Sequence, residues 1–237
     1  MKGYIDSIDT MGMVDGPGVR LVVFMQGCKL RCIFCHNPET WEFKKDNSIT
    51  SNELLKKIKN NFSYYKNGGI TFSGGEPLNQ PDFLIDALKK LKEFGCHTAL
   101  DTAGCGCGQY EEILKYTDLV LLDVKACNPE MYKRITGANM DEVNKFIEAL
   151  NKSGKEVWIR QVIIPGINDT KEYIDEFKEY IKGIKHITNI ELLPYHLYGV
   201  EKYKKLNIRY KLAGVPAMTE EKVQELRDYL NENKTEE

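Results

Sequence analysis

No apolar run in this chain approaches the roughly 20 residues that a helix needs to cross a bilayer. The opening residues, Met1-Lys2-Gly3-Tyr4-Ile5-Asp6, lack the apolar core of a secretory signal, so the cytoplasm is the expected location. A charge excess is missing too: 33 Lys and Arg against 35 Asp and Glu give a formal net charge of −2. Basic residues are spread along the sequence, which excludes a general affinity for nucleic acid or anionic membrane. There is no linker, low-complexity segment or repeat, so one domain is expected over residues 1–237. Seven cysteines is an odd number. That argues against a fully paired disulfide framework and for reduced thiols.

The most informative absence is a fourth ligand. Cys28, Cys32 and Cys35 lie in Gly27-Cys28-Lys29-Leu30-Arg31-Cys32-Ile33-Phe34-Cys35-His36-Asn37, and the next cysteine is Cys96. Structural zinc sites are closed and four-coordinate, and His36, adjacent to Cys35, is badly placed to reach the same ion. An electron-transfer ferredoxin would complete its cluster with a fourth cysteine. Three thiols on a cubane [4Fe-4S] cluster leave one iron free to bind a small molecule, which suits chemistry better than structure. Such a cluster is oxygen-labile, so an anaerobic or strongly reducing setting is expected. Cys96, Cys105, Cys107 and Cys127 read as free thiols.

What is present is an alternation of strands and helices. Residues 19–25, 69–72, 96–100, 118–122, 157–164 and 189–193 are rich in Val, Ile and aromatics and end at turn signals. Between them run amphipathic stripes. One is Leu54, Leu55, Ile58, Phe62 and Tyr65 behind a Thr50/Glu53 capping box. Others run over Phe83–Phe94 before Gly95, over Val143–Leu150 before Gly154, and over Tyr173–Ile181. A last helix is expected at about 219–233, with the polar residues 231–237 fraying. Six β/α units predict a parallel α/β sheet, a partial (β/α)6 barrel open on one side.

The unusual polar residues fall just after strands: the cysteine loop, Ser73-Gly74-Gly75-Glu76-Pro77, Asp101-Thr102, Asp123 with Lys125, and Pro194-Tyr195-His196. In a parallel barrel these ends share one rim, where active sites sit. Gly74, Gly75 and Glu76 offer main-chain and carboxylate oxygens to an ammonium group. Lys125 and His196 are further candidates on that rim. Asp101, Thr102 and Asp123 are candidate oxygen ligands for a monovalent cation, Na+ or K+. Arg160 sits inside an apolar strand and needs a carboxylate or a ligand there.

The cysteine loop, with Phe34 before its third cysteine, resembles the signature of the radical S-adenosylmethionine (SAM) superfamily. Asp15-Gly16-Pro17-Gly18-Val19-Arg20, Cys35-His36-Asn37-Pro38, Leu122-Asp123-Val124-Lys125, Trp158-Ile159-Arg160 and Leu193-Pro194-Tyr195-His196 resemble the glycyl-radical-enzyme activating family, of the pyruvate formate-lyase type. Asn37 to Ser73 holds no cysteine, so the ferredoxin-like insert of many relatives is absent. The resemblance implies a [4Fe-4S] cluster on Cys28, Cys32 and Cys35, whose open iron chelates SAM. It implies SAM contacts from Phe34, His36, Gly74, Gly75, Glu76, Asp123, Lys125, Arg160 and His196, and a gating or partner role for Asp15. The implied reaction is reductive cleavage of SAM to a 5′-deoxyadenosyl radical, which removes a glycine Cα hydrogen from a protein substrate, pyruvate formate-lyase. Flavodoxin or ferredoxin supplies the electron, and a monomer is expected. An activase for a different glycyl-radical enzyme, and more remotely a non-catalytic iron–sulfur or zinc protein, are the alternatives.

Overall fold

The computed structural model describes residues 1–232 and places the six expected strands side by side, all parallel. They are β2 (Arg20–Met25), β4 (Gly69–Gly74), β5 (Thr98–Thr102), β6 (Leu119–Asp123), β7 (Glu156–Ile163) and β8 (Ile187–Pro194). Two further strands, β1 (Lys2–Gly12) and β3 (Ser48–Thr50), extend the sheet antiparallel beyond β2. The order is β3-β1-β2-β4-β5-β6-β7-β8, an open sheet that does not close into a barrel. β1 escapes a sequence reading because its pairing with β2 shifts register twice. Each irregularity breaks the period-2 alternation by which strands are recognised.

The helices are α1 (Ser51–Asn60), α2 (Phe62–Tyr65), α3 (Pro81–Glu93), α4 (Tyr110–Lys115), α5 (Pro129–Thr136), α6 (Asp141–Ser153), α7 (Lys171–Ile181), α8 (Val200–Lys205) and α9 (Glu220–Glu232). The Thr50/Glu53 capping box forms in both directions, and Gly154 ends α6 with a positive φ. The stripe drawn from Leu54 to Tyr65 is two helices, since Asn61 leaves helical geometry. The strand expected at Cys96 starts at Thr98, because Gly95 to His97 form the turn leaving α3. Asn231 and Glu232 belong to α9, and the rest of the stretch expected to fray lies outside the described residues. No described helix is long and apolar enough to cross a membrane.

Strand residues divide by parity. Val23, Phe72, Leu100, Leu122 and Ile159 pack with Leu54, Leu84, Phe146 and Phe177 of the helices in the main core. On the other face of the sheet Ala99, Leu119 and Leu121 pack with Trp158. Two residues further along each of three strands, the same face presents Asp101, Asp123 and Arg160. The apolar plug thus gives way to charge at the C-terminal ends.

Arg20, at the start of β2, is 0% exposed and has no carboxylate within ion-pair distance among the described residues. Its guanidinium donates instead to Thr71 Oγ1 (2.6 Å), Gly68 O (2.7 Å), Ile70 O (2.8 Å) and Pro17 O (3.1 Å), and faces His97 Nδ1 at 3.2 Å. Thr71 Oγ1 donates onward to Asp15 O, so the Asp15–Gly18 turn is wrapped onto the arginine. Gly16 (φ +117°) lies against the Arg20 side chain, where a Cβ would come within 3.2 Å. Arg20→Ala strands these acceptors in the interior and is expected to cost about 3 kcal/mol or more. Urea unfolding of the cluster-free protein checks this; a loss below about 1 kcal/mol would show that the turn is held by something else.

Candidate active site

The cysteine loop joins β2 to the short 310 turn Pro38–Thr40 and is held at both ends by backbone. Gly27 N donates to Thr40 O (2.8 Å) and Cys28 N to Trp41 O (3.1 Å). Arg31 N and Ile33 N donate to Thr136 O (2.8 Å) and Ile135 O (2.9 Å). Those are carbonyls of the last turn of α5, which lack intrahelical partners, so the loop caps that helix. Tyr203 of α8 donates its hydroxyl to Cys35 O (2.9 Å), and Lys202 reaches Asn37 Oδ1 and Glu39 Oε1 (2.9 and 2.5 Å). The segment after the last strand therefore grips the loop that follows the first parallel one.

Cys28, Cys32 and Cys35 open on one cavity of about 250 Å3. Phe34, His36, Gly74, Gly75, Asp101, Thr102, Asp123, Lys125 and Arg160 also line it. Ser73, Trp41, Asn37 and the apolar Leu30, Ala103, Val162 and Leu193 complete the wall. Of these, Val162 was within reach of sequence reasoning, being two residues beyond Arg160 on the same face of β7. Trp41 follows no spacing rule and was missed.

Charge in the cavity is balanced. Arg160 Nε donates to Asp123 Oδ1 (2.9 Å) and its Nη2 to Asp101. Lys125 Nζ donates to Asp123 Oδ2 (2.9 Å) and lies 5.4 Å from the centre of the Phe34 ring. Ser73 Oγ donates to Asp101 Oδ2 (2.6 Å). Burial works against the charge on Asp123, but Arg160 and Lys125 outweigh it and hold the carboxyl below its ordinary value. Lys125 is likewise opposed by burial, yet raised by Asp123 and Cys32, and stays charged.

Three assignments need correction. Glu76 does not line the cavity. It is 1% exposed and accepts from Thr102 Oγ1 (2.5 Å), Ala103 N (3.0 Å) and Leu78 N (3.1 Å). Its acceptors are taken up in joining the ends of β4 and β5. His196 stands behind His36 rather than in the cavity, its ring stacked at 3.9 Å and its carbonyl 3.2 Å from His36 Nε2. Burial, with His196 alongside, pulls His36 down to about 4. Asp101, Thr102 and Asp123 line the cavity together but leave no oxygen cage: the cation between the two carboxylates is Arg160, and the Thr102 hydroxyl is spent on Glu76.

Gly74 and Gly75, which line the cavity, also meet a packing demand. A Cβ on Gly74 (φ +108°) would stand 2.2 Å from Met25 N, and one on Gly75 would stand 2.5 Å from Gly27 O. The close approach they permit is to the backbone of β2 and the cysteine loop.

The donor set fits an iron–sulfur cluster. Burial pushes the Cys28 and Cys35 thiols up, and Cys32 to about 12. Ligation needs thiolates, which iron's charge would supply. Among the described residues no three His, Cys, Asp or Glu side chains converge as a single metal ion requires. A cubane, which takes each thiolate on a different iron, asks for no such convergence.

Sequence and structural comparisons agree with this geometry. Residues 22–181 match the family model of the radical SAM superfamily, and the chain belongs to that superfamily. Its sheet superposes on a radical SAM methyltransferase from Sphaerobacter thermophilus with a TM-score of 0.61 at 14% identity, over 90% of this chain and 63% of the other. A pyruvate formate-lyase-activating enzyme of Clostridium pasteurianum is 53% identical over 234 residues, 98% of each chain. Within the superfamily the chain thus belongs to the family of pyruvate formate-lyase-activating enzymes. A solved domain of such an enzyme from Bacteroides vulgatus matches with a TM-score of 0.55 at 28% identity, over 69% of this chain and 93% of that one. Membership makes it a radical SAM enzyme that works with a [4Fe-4S] cluster and SAM and acts on a glycyl-radical enzyme.

Burial pushes Glu76 from 4.5 up to about 7 against the pull of its three donors. Between those values the folded chain holds a proton that the unfolded chain has released. The contribution of this group to stability therefore falls as pH rises through that window. In Glu76→Gln that component of the slope disappears; denaturant titrations of both proteins from pH 4.5 to 7.5 check it, and parallel curves would refute it.

Proposed function

We propose that this chain activates pyruvate formate-lyase by removing one hydrogen atom from a glycine Cα of that enzyme. The observation that carries the reading is the cavity itself. Three cysteine thiols, with no fourth cysteine lining the cavity among the described residues, open on the same space as Lys125, Arg160 and the Gly74-Gly75 backbone.

Cys28, Cys32 and Cys35 would hold the cluster and leave its fourth iron to SAM. When bound and reduced, the cluster supplies one electron to the sulfonium of SAM, releasing methionine and the 5′-deoxyadenosyl radical that takes the glycine hydrogen. The residues bind, orient and exclude water. Lys125, with donors to spare beyond Asp123, is suited to the SAM carboxylate. Main-chain oxygens at Gly74 and Gly75 are suited to its ammonium. Phe34 and His36 supply flat walls, while Leu30, Trp41, Val162 and Leu193 keep the reacting centre dry. Arg160 holds Asp101 and Asp123 in place, Glu76 sets the Gly-Gly turn, and His196 props His36. A Na+ or K+ ion on Asp101, Thr102 and Asp123 enters only if Arg160 gives way. Asp15, half-buried in the turn ahead of β2, is our candidate for sensing the protein substrate. Flavodoxin or ferredoxin as donor, a monomeric enzyme of one domain, and a cytoplasmic location complete the proposal.

Anaerobically reconstituted protein, reduced and given SAM, is expected to form 5′-deoxyadenosine, and Cys32→Ala to form none. With pyruvate formate-lyase present, the glycyl radical is expected by electron paramagnetic resonance. A full cluster that cleaves no SAM would sink the reading. Asp15→Asn is expected to lower the radical yield while SAM still binds; a wild-type activation rate would remove Asp15 from the proposal.

A further inference from the structure

The electron consumed in this reaction must arrive from outside, and tunnelling falls steeply with distance, so its donor must dock close to Cys28, Cys32 and Cys35. Beside α8 runs an open, largely apolar groove of about 700 Å3, walled by Tyr203, Ile208, Tyr210, Leu212, Val215 and Pro216. It has no lining residue in common with the active-site cavity, but Tyr203 brings the two close. Tyr203, 3% exposed, forms part of the groove and donates its hydroxyl to the carbonyl of Cys35 (2.9 Å). Its ring meets Trp41 edge-on at 5.7 Å, and Trp41 lines the active-site cavity. Tyr210 stands 4.8 Å from Tyr203 on the groove side. One side chain therefore separates the groove from a cluster ligand.

The segment that supplies one wall of the groove is basic, unlike the chain as a whole. Residues 201–211 carry five Lys and Arg against the single acid Glu201. The reading that basic residues are nowhere clustered therefore fails here. Lys202 turns inward to Glu39, and Lys204 pairs with Glu201. Lys205, Arg209 and Lys211 are exposed and, among the described residues, have no carboxylate partner. An apolar groove flanked by a segment with exposed, unpaired positive charge is suited to a partner of opposite sign.

Resting on the function given above, we propose that this groove is the docking face for the electron donor, an acidic small protein carrying a one-electron cofactor. One electron leaves the donor's reduced cofactor for the cluster across the Tyr203–Cys35 wall; no bond forms and no proton moves. Lys205, Arg209 and Lys211 steer the encounter, and Leu206 and Leu197, both exposed, bring apolar contact at the edges.

The test compares wild type with the variant Lys205→Glu/Arg209→Glu/Lys211→Glu, both reconstituted and matched for iron content. SAM cleavage is driven either by dithionite or by a purified acidic flavodoxin, and flavodoxin affinity is titrated at several salt concentrations. The expected result is a loss of about tenfold or more in flavodoxin-driven kcat/KM. Affinity weakens in parallel, wild-type affinity falls with salt, and the dithionite-driven rate is unchanged. Unchanged flavodoxin binding and rate would overturn the inference. So would normal SAM cleavage with either reductant but a lower glycyl-radical yield, which would assign the face to the protein substrate. Wild-type protein that cleaves no SAM even with dithionite would instead overturn the function itself, and this inference with it.

Discussion

Arg160 carries a full charge into the interior of the sheet from the middle of β7, and an unpaired charge there costs several kcal/mol. Asp101 at the end of β5 and Asp123 at the end of β6 meet it, and Lys125 closes the set on Asp123. This four-group network ties the ends of β5 and β6 to the middle of β7 and decides where the apolar plug of Ala99, Leu121 and Trp158 stops. It also gives the cavity walls that carry both signs of charge with little net excess. A substrate with ammonium, carboxylate and sulfonium groups can be received there without a large field to overcome.

Around that network the chain builds a rigid frame for the cysteine loop. The loop has no regular structure of its own; it is anchored nearby by Thr40 and Trp41, and from far along the sequence by the last carbonyls of α5 and by Tyr203. Gly74 and Gly75 let the turn after β4 press against the start of the loop, and Glu76 ties that turn to the end of β5. The motif therefore does much of its work on the protein itself. Each of these residues sets the position of a thiol or of a neighbouring wall, so a ligand held at three cysteines meets surroundings that were fixed before it arrived.

Much of this was legible in the sequence. The six parallel strands carry long β-branched and aromatic runs, because they are buried on both faces, and their ends carry the polar residues of the site. The three-cysteine spacing and the charge of Arg160 inside an apolar run each have few structural explanations. β1 was not legible because bulges disrupt its alternation, and α4 and α8, six residues each, are too short to show a clear stripe. The roles of Glu76 and His196 were misjudged for a different reason. A carboxylate beside two glycines, or a histidine at a rim, has the same one-dimensional signature whether it faces a ligand or braces a residue that does.

The amino-acid sequence by itself determined the chemistry available: three thiols without a fourth, an alternation that forces a parallel sheet, and polar residues at the ends of its strands. Local pattern suffices there, because strand period, turn chemistry and ligand count are properties of short segments. Only the tertiary structure decided which polar groups are already spent on one another. It turned Glu76 to Thr102, set Arg160 where a cation was expected, stacked His196 on His36, and ran an apolar groove up to the back of Cys35. Those outcomes depend on side chains separated by tens to well over a hundred residues meeting at hydrogen-bond distance, a competition among partners settled only once the chain has folded.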